Sequence, residues 1–347
     1  AGATYTPNSN VTLYAQWKSS NYTITYDYNG GTKLDGAKDT VSVTVGSSVK
    51  LPKVTKNGYT FSGWRLSTSS GTKVGNMNDA YQPTDNVTLV ASWTTLDYEK
   101  SKSLLSHNDS ISKVIFTNEN APLGVTTTPI ASDGTDAIVY WSIQNSNLNI
   151  IYISTQNNYT KIAFGTSMKM LFAWDSKLVE ISFDNIDTSK VTDMSGMFYL
   201  CTELISLNLN NFDTSNVANM SDMFNGCENL ENLNIKNFDT SNVTDMSRMF
   251  SLSSPFSIFT QESKLTNLDI SNFNTSKVID MSYMFQGCSN LTSLNLGNFN
   301  TSNVTNMSCM FHSCSNLTSL NLGNFNTSNV TNMSNMFENC SNLTSLN

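Results

Sequence analysis

The stretch NFDTSNVANMSDMFNGCENLENLNIK, residues 211–236, decides the fold, because its pattern returns along the chain from Asn185 to Asn347. The Phe of its Met-Phe pair recurs as Phe198, Phe224, Phe250, Phe285, Phe311 and Phe337, in steps of 26, 26, 35, 26 and 26 residues. Self-similarity at this period marks a solenoid of stacked coils. The single long step is a nine-residue insertion in one coil. A divergent coil precedes the series, since Leu171, Phe172, Leu178, Ile181 and Phe183 stand 26 residues before Met197, Phe198, Leu204, Leu207 and Leu209.

Within a coil the apolar spacing changes character. Met220, Met223, Phe224 and Cys227 fall at i, i+3, i+4 and i+7, which predicts one face of a short helix. Leu233 and Ile235 then alternate with Asn232, Asn234 and Lys236, which predicts a half-buried strand. Asp193, Asn219, Asp245, Asp280, Asn306 and Asn332 precede the first Met of each coil and are expected to cap the helices. Gly226, Gly287 and Asn339 suit a left-handed helix end, whereas Leu200 and Ser313 at the same place suit it less well. Asp213–Ser215 and Asn300–Ser302 have the residue types of tight turns. A calcium loop built on those carboxylates is disfavoured, because the last coils carry Asn instead. One coil cannot stabilise itself, so the array is expected to need covering at both ends. The chain stops at Asn347 within a strand pattern, which reads as a piece of a longer polypeptide.

The run LxxLxLxNF[ND]TSxVx[DN]MSxMFxxC, from about residue 171 onward, resembles the leucine-rich repeats of BspA-like bacterial surface proteins. That resemblance implies an extracellular protein displayed on the bacterial surface, used in adhesion or host interaction, with a curved α/β solenoid whose strands line one face.

Upstream, YTPNSNVTLYAQW at residues 5–17 returns as YQPTDNVTLVASW at 81–93. Residues 1–18 are therefore read as the end of a truncated module, and 19–95 as a complete, mostly β copy with turns at Asn29-Gly30-Gly31 and Asn57-Gly58. YTITYDYNGGT, LPKVTKNGYTFSGW and NVTLVASW resemble the internalin-type B-repeat, which implies a β-grasp-like fold. Tyr59, Phe61, Trp64 and Trp93 are expected in its core, in preference to Trp64 or Trp93 forming an exposed sugar-stacking platform. Residues 96–165 read as a linker and a β-rich N-terminal cap, with a hinge over Leu96–Ser103 and a hairpin turn at Asn145–Asn147. The truncated solenoid occupies 166–347, which makes the chain multidomain.

Composition narrows the function. The net charge of −8 falls in the solenoid, since basic and acidic residues balance up to residue 160, and no basic surface invites nucleic acid. No apolar run is long enough to span a membrane. Cys201, Cys227, Cys288, Cys314 and Cys340 share one apolar slot and are expected as buried free thiols. Cys309 stands at a variable position and is expected to be exposed. With His312 and Cys314 it spells C-x-x-H-x-C, but Cys314 belongs to the core slot, so zinc is not expected. Two histidines and no nucleophile elbow, P-loop or HExxH argue against an enzyme, and no cofactor is expected.

A binding module follows, with a host extracellular protein or glycan as partner; the rival reading is a spacer or stalk that displays a domain elsewhere. The candidate site is the outward strand face, made of Ser206, Asn208, Asn232, Asn234, Asn267, Asp269, Ser293, Asn295, Ser319 and Asn321. Short amides and hydroxyls there offer donors and acceptors at small entropic cost. The alternative site is the inserted loop, with Phe256, Ile258 and Phe259 surplus to the repeat.

Overall fold

A computed structural model describes the chain except residues 1–3, 5, 13, 15–19, 146–147, 254–261 and 347. The protein is mostly β, and the one α-helix among the described residues is Tyr98–Leu105.

The N-terminal module is a five-stranded sheet in the order Thr40–Thr44, Asn21–Asp27, Val87–Thr94, Thr60–Leu66, Lys73–Gly75. Asn21–Asp27 runs parallel to Val87–Thr94, and the remaining pairs are antiparallel. Ile24, Tyr26, Val54, Phe61, Trp64 and Leu89 form its core, and the Trp64 indole N–H donates to the Pro52 carbonyl at 3.1 Å. Of the four aromatics expected inside, Trp64 and Phe61 are buried, while Tyr59 and Trp93 are half-buried at a seam with the next region.

That seam is a docked interface. The Gly58 N–H donates to Asp187 Oδ2 at 2.7 Å, Ser62 Oγ donates to Asp133 Oδ2 at 2.7 Å, and buried Thr60 accepts from Ala163 N–H while donating to the Lys161 carbonyl. The ammonium of Lys190 sits 3.9 Å from the Tyr59 ring centroid. Gly58 is required here, because its φ of +72° is left-handed and a Cβ would strike the Lys190 stem. The expected hinge over Leu96–Ser103 is not one. Leu96 is buried and its N–H bonds the Ala163 carbonyl, Asp97 caps the helix through Lys100 N–H, and Leu105 enters the core. The segment looks polar because a short helix on a surface exposes most of its length.

The cap and the coils share one sheet, in the order Thr128–Pro129, Val139–Asn145, Leu148–Ser154, Ile111–Thr117, Glu180–Phe183, Ser206–Asn208, Asn232–Asn234. Val139–Asn145 and Leu148–Ser154 form the expected hairpin, with Asn145 opposite Leu148. Ile111–Thr117 then pairs in parallel with Glu180–Phe183, so the cap covers the first coil by extending its sheet. Farther on, Ser206 faces Asn232, Asn208 faces Asn234, and Ser319 faces Ser345, each 26 residues apart.

Inside the stack, Phe172, Phe198, Phe224, Phe250, Phe285, Phe311 and Phe337 form a column with centroids 5.5 to 5.8 Å apart and planes within 11° of parallel. The column crosses the long step unbroken, since Phe250 lies 5.8 Å from Phe285 at 3°. The stacking of the repeat Phe is therefore the same across the long step as elsewhere.

The expected helices are absent, and a chain of turns takes their place. The N–H groups of Met194, Gly196, Phe198 and Leu200 bond the carbonyls of Asn219, Ser221, Met223 and Asn225 in the next coil, at 2.7 to 3.0 Å. The intervening Met197, Tyr199 and Cys201 close turns onto the carbonyls three residues back. Gly196 and Leu200 both have φ near +59°, and a left-handed residue every four positions is incompatible with a helix. Turns of four residues return side chains inward at i, i+3, i+4 and i+7, so they mimic a helical period. Asp193 and Asn219 accordingly close local turns, accepting from the N–H of Ser195 and Ser221 at 2.9 Å, and bridge coil to coil in parallel. The left-handed residue expected before each Cys is present at Leu200 and Ser313 as well as at Gly226, Gly287 and Asn339.

Candidate functional site

Most polar side chains of the repeat are committed to holding coils together. Buried Thr214, Thr240, Thr275 and Thr301 each donate to a carbonyl of the following coil and accept an N–H from it, at 2.8 to 3.0 Å. Asn216, Asn242, Asn303 and Asn329 donate to carbonyls 27 residues earlier. The turn reading of Asp213 and Asn300 holds, since they accept from the N–H of Ser215 and Ser302.

On the strand face, Ser206, Asn208, Asn232, Asn267, Asp269, Ser293, Asn295, Ser319 and Asn321 are exposed and Asn234 is half-buried. The structure divides them into two columns. Asn208, Asp269, Asn295 and Asn321 spend a side-chain oxygen on the N–H two residues ahead. Ser206, Asn232, Asn267, Ser293 and Ser319 make no such internal bond, so their polar groups are open to a partner. Ser206 and Asn208 lie directly beside Asn232 and Asn234 on paired strands. Asn267, Asp269, Ser293 and Asn295 were expected on strands, but no strand forms at these residues. Phe256, Ile258 and Phe259 of the alternative loop site lie outside the described residues.

The thiol slot is as expected, with one correction. Cys201, Cys227, Cys288 and Cys314 are buried and free, and Cys340 in the last coil is half-buried. Each donates its thiol to the carbonyl of a core Phe one coil back, at 3.0 to 3.2 Å. Burial pushes these thiols up, Cys227 to about 12, which keeps them protonated and inert. Cys309, expected at the surface, is 6% exposed, because its small side chain lies against Tyr283 of the preceding coil. The first coil differs: Asp175 occupies the slot that Cys201 fills in the next. Asp175 is fully buried, neither carboxyl oxygen has a hydrogen-bond partner, and burial, followed by the charge of Asp109, pushes it up to about 8.

One concavity outside the seam was not found from the sequence. It is a cleft of about 530 Å³ on the turn side of the first coils, where Trp174, Tyr199, Asp222, Asn225 and Arg248 converge from successive coils. Trp174 and Tyr199 pack edge to face at 5.2 Å, and the Arg248 guanidinium lies 4.5 Å over Tyr283. Burial, and next the charge of Asp222, raise the Tyr199 hydroxyl, with Arg248 opposing, so it stays neutral. Asn225 donates to Asp222 Oδ1 at 2.6 Å. The signal that marks this cleft in the sequence is variability: the residue after the repeat Phe is Tyr199, Asn225, Ser251, Gln286, His312 or Glu338 while the core around it hardly changes. A second cleft, about 510 Å³, lies at the docked seam beside Lys56, Tyr59, Arg65 and Trp93.

Among the described residues no three of His, Cys, Asp and Glu are placed to hold a metal ion, and no helix is long and apolar enough to cross a membrane.

Comparison with known proteins gives the lineage. Residues 22–92 match the Listeria-Bacteroides repeat domain. A stretch of 92 residues is 38% identical to Internalin H of Listeria monocytogenes and covers 26% of this chain. Another of 106 residues is 34% identical to a membrane-protein candidate of Evansella cellulosilytica and covers 29% of this chain. Each alignment takes in 16% of the relative's own length. No solved structure shows a significant match. Residues 166–262 and 256–346 both match the family described as Mycoplasma protein of unknown function, DUF285; the matches run without a gap over more than half of the 347 residues, and the chain belongs to that family.

Proposed function

We propose that this chain is a recognition segment of a bacterial cell-surface protein, in which the docked β-module and the coils present the polar strand face to a host extracellular protein or glycan. The observation that carries this reading is the exposed column Ser206, Asn232, Asn267, Ser293 and Ser319, whose side chains are not consumed inside the fold. Stacking aligns it into a polar strip that a partner can read across several coils. The likeness of the first module to the Listeria-Bacteroides repeat domain, and of part of the chain to Internalin H, supports display at a bacterial surface. The resemblance to BspA-like leucine-rich repeats supports the same placement, with the first module as a β-grasp-like spacer.

A specific observation favours the rival reading of a spacer: the threonines and asparagines of the repeat serve coil-to-coil cohesion. The two separate by experiment. The chain is titrated on arrays of host extracellular proteins and glycans, beside a variant carrying Asn232→Arg and Ser293→Arg. Recognition by the strand face predicts a partner that binds the parent chain and loses at least about tenfold in affinity with the variant. A partner bound equally by both, or no partner, removes the strand face from recognition.

A further inference from the structure

We propose that the turn-side cleft between Trp174 and Arg248 is a saccharide-binding site, distinct from the strand face and independent of it. Its walls come from four consecutive coils: Trp174 from the first, Ser195 and Tyr199 from the second, Asp222 and Asn225 from the third, and Arg248 from the fourth. No single repeat contains it.

Two buried atoms point to a ligand. Asn225 is 3% exposed and Ser195 is 6% exposed, and both line the cleft, yet Asn225 Oδ1 and Ser195 Oγ have no hydrogen-bond partner. A buried polar atom left unpaired costs the fold about 1–3 kcal/mol. Two such atoms at one concavity are explained if a ligand supplies the missing donors. Asn225 Oδ1 accepts only, and Ser195 Oγ can accept or donate, so the ligand carries hydroxyl or N–H groups.

The remaining lining narrows the class. Trp174 and Tyr199 contribute half-buried rings, which suit a ligand with an apolar C–H face. A lipid chain would leave both buried atoms unpaired, and a bare phosphate has no apolar face to set against the two rings. A sugar ring joins hydroxyls on its edge to C–H groups on its face and matches both kinds of wall. Lys169 and Arg248 stand against Asp222 in the lining, which admits a carboxylated as well as a neutral sugar. A volume of about 530 Å³ accommodates one or two sugar rings.

The test uses the full chain and a panel of galactose, lactose, N-acetylglucosamine, glucuronic acid and N-acetylneuraminic acid, read by saturation-transfer NMR and calorimetry. At least one sugar is expected to bind with a Kd of roughly 1 mM. Trp174→Ala and Arg248→Asn are each expected to weaken it at least about tenfold, while Asn232→Arg leaves it unchanged. Arg248→Asn preserves the backbone, since Asn335 holds the equivalent left-handed position at φ +57°. Ser195→Ala supplies a readout that a purely structural serine would not give: it is expected to lower affinity while leaving thermal stability equal or higher. No saccharide signal up to about 50 mM overturns the proposal. So do binding indifferent to Trp174 and Arg248, a loss of stability in Ser195→Ala, or occupation of the cleft by a peptide in place of every sugar. Because the strand-face variant is measured beside these, failure here leaves the strand-face reading standing or falling on its own result.

Discussion

The two sides of each coil solve the same problem with different freedom. On the strand side, successive coils place Ser or Asn at equivalent positions, as at Ser206 and Asn232 or Ser293 and Ser319, so one coil looks much like the next. On the turn side the core Met and Phe hardly change, but the left-handed position between them is Gly196, Asp222, Arg248, Tyr283, Cys309 or Asn335. A left-handed conformation costs a residue other than Gly roughly 1–2 kcal/mol. Arg248 and Tyr283 hold such positions although Gly196 shows that glycine fits, and strain of this kind concentrates where function needs it. Cohesion is therefore spread over both sides, whereas individuality is confined to the turns.

The largest expected effect tests the cohesion the two sides share. Phe250 stacks on Phe224 and Phe285 across the insertion, so Phe250→Ala should destabilise the array by about 3–5 kcal/mol in chemical denaturation. A loss below about 1 kcal/mol would mean that the column does not bear the stack.

Asp175 sharpens the contrast between the first coil and its neighbours. Its folded pKa, about 8, lies above the ordinary 3.8, so the native state keeps a proton that the unfolded chain releases. Its contribution is most favourable below about pH 4 and is lost as pH rises towards 8. Asp175→Cys installs the side chain of the next coil and should stabilise by roughly 3 kcal/mol at pH 7, with the gain fading by pH 4. A gain that is the same at both pH values would place the cost in packing rather than in the proton.

A smaller effect probes the strand-to-turn corner. Thr275→Val keeps the shape but removes the donor to the Asn300 carbonyl and the acceptor for its N–H. A loss of about 1–3 kcal/mol is expected, and none would show that this corner is held from elsewhere. Smallest of all, Asn232→Arg and Arg248→Asn should each stay within about 0.5 kcal/mol, because on the proposed reading the groups they alter serve display. Thermal melts check both, and a substantial loss in either would assign that side chain to cohesion.

How far the sequence could be read follows from the same contrast. The coil period, the Cys slot and the hairpin of Val139–Asn145 and Leu148–Ser154 were legible because buried apolar positions repeat and strand alternation is regular. Helix was the wrong reading of Met220, Met223, Phe224 and Cys227, since four-residue turns and a helix share one apolar spacing. Only the neighbouring coil, which takes the N–H groups of Met194, Gly196 and Phe198, decides between them. Cys309 was misplaced because a position that varies from coil to coil can still be covered by its neighbour, here Tyr283. Asp175 and the cleft escaped because each depends on what one coil contributes differently from the next.

The difference between turn and helix is also the most direct point of test. With Tyr98–Leu105, eight residues long, as the one α-helix among the described residues, the chain should give a far-UV circular dichroism spectrum dominated by strand and turn, with almost no helical component. Paired helical minima, of a strength that would need a helix in every coil, would contradict the stacked-turn account and remove the left-handed positions on which the cleft is built.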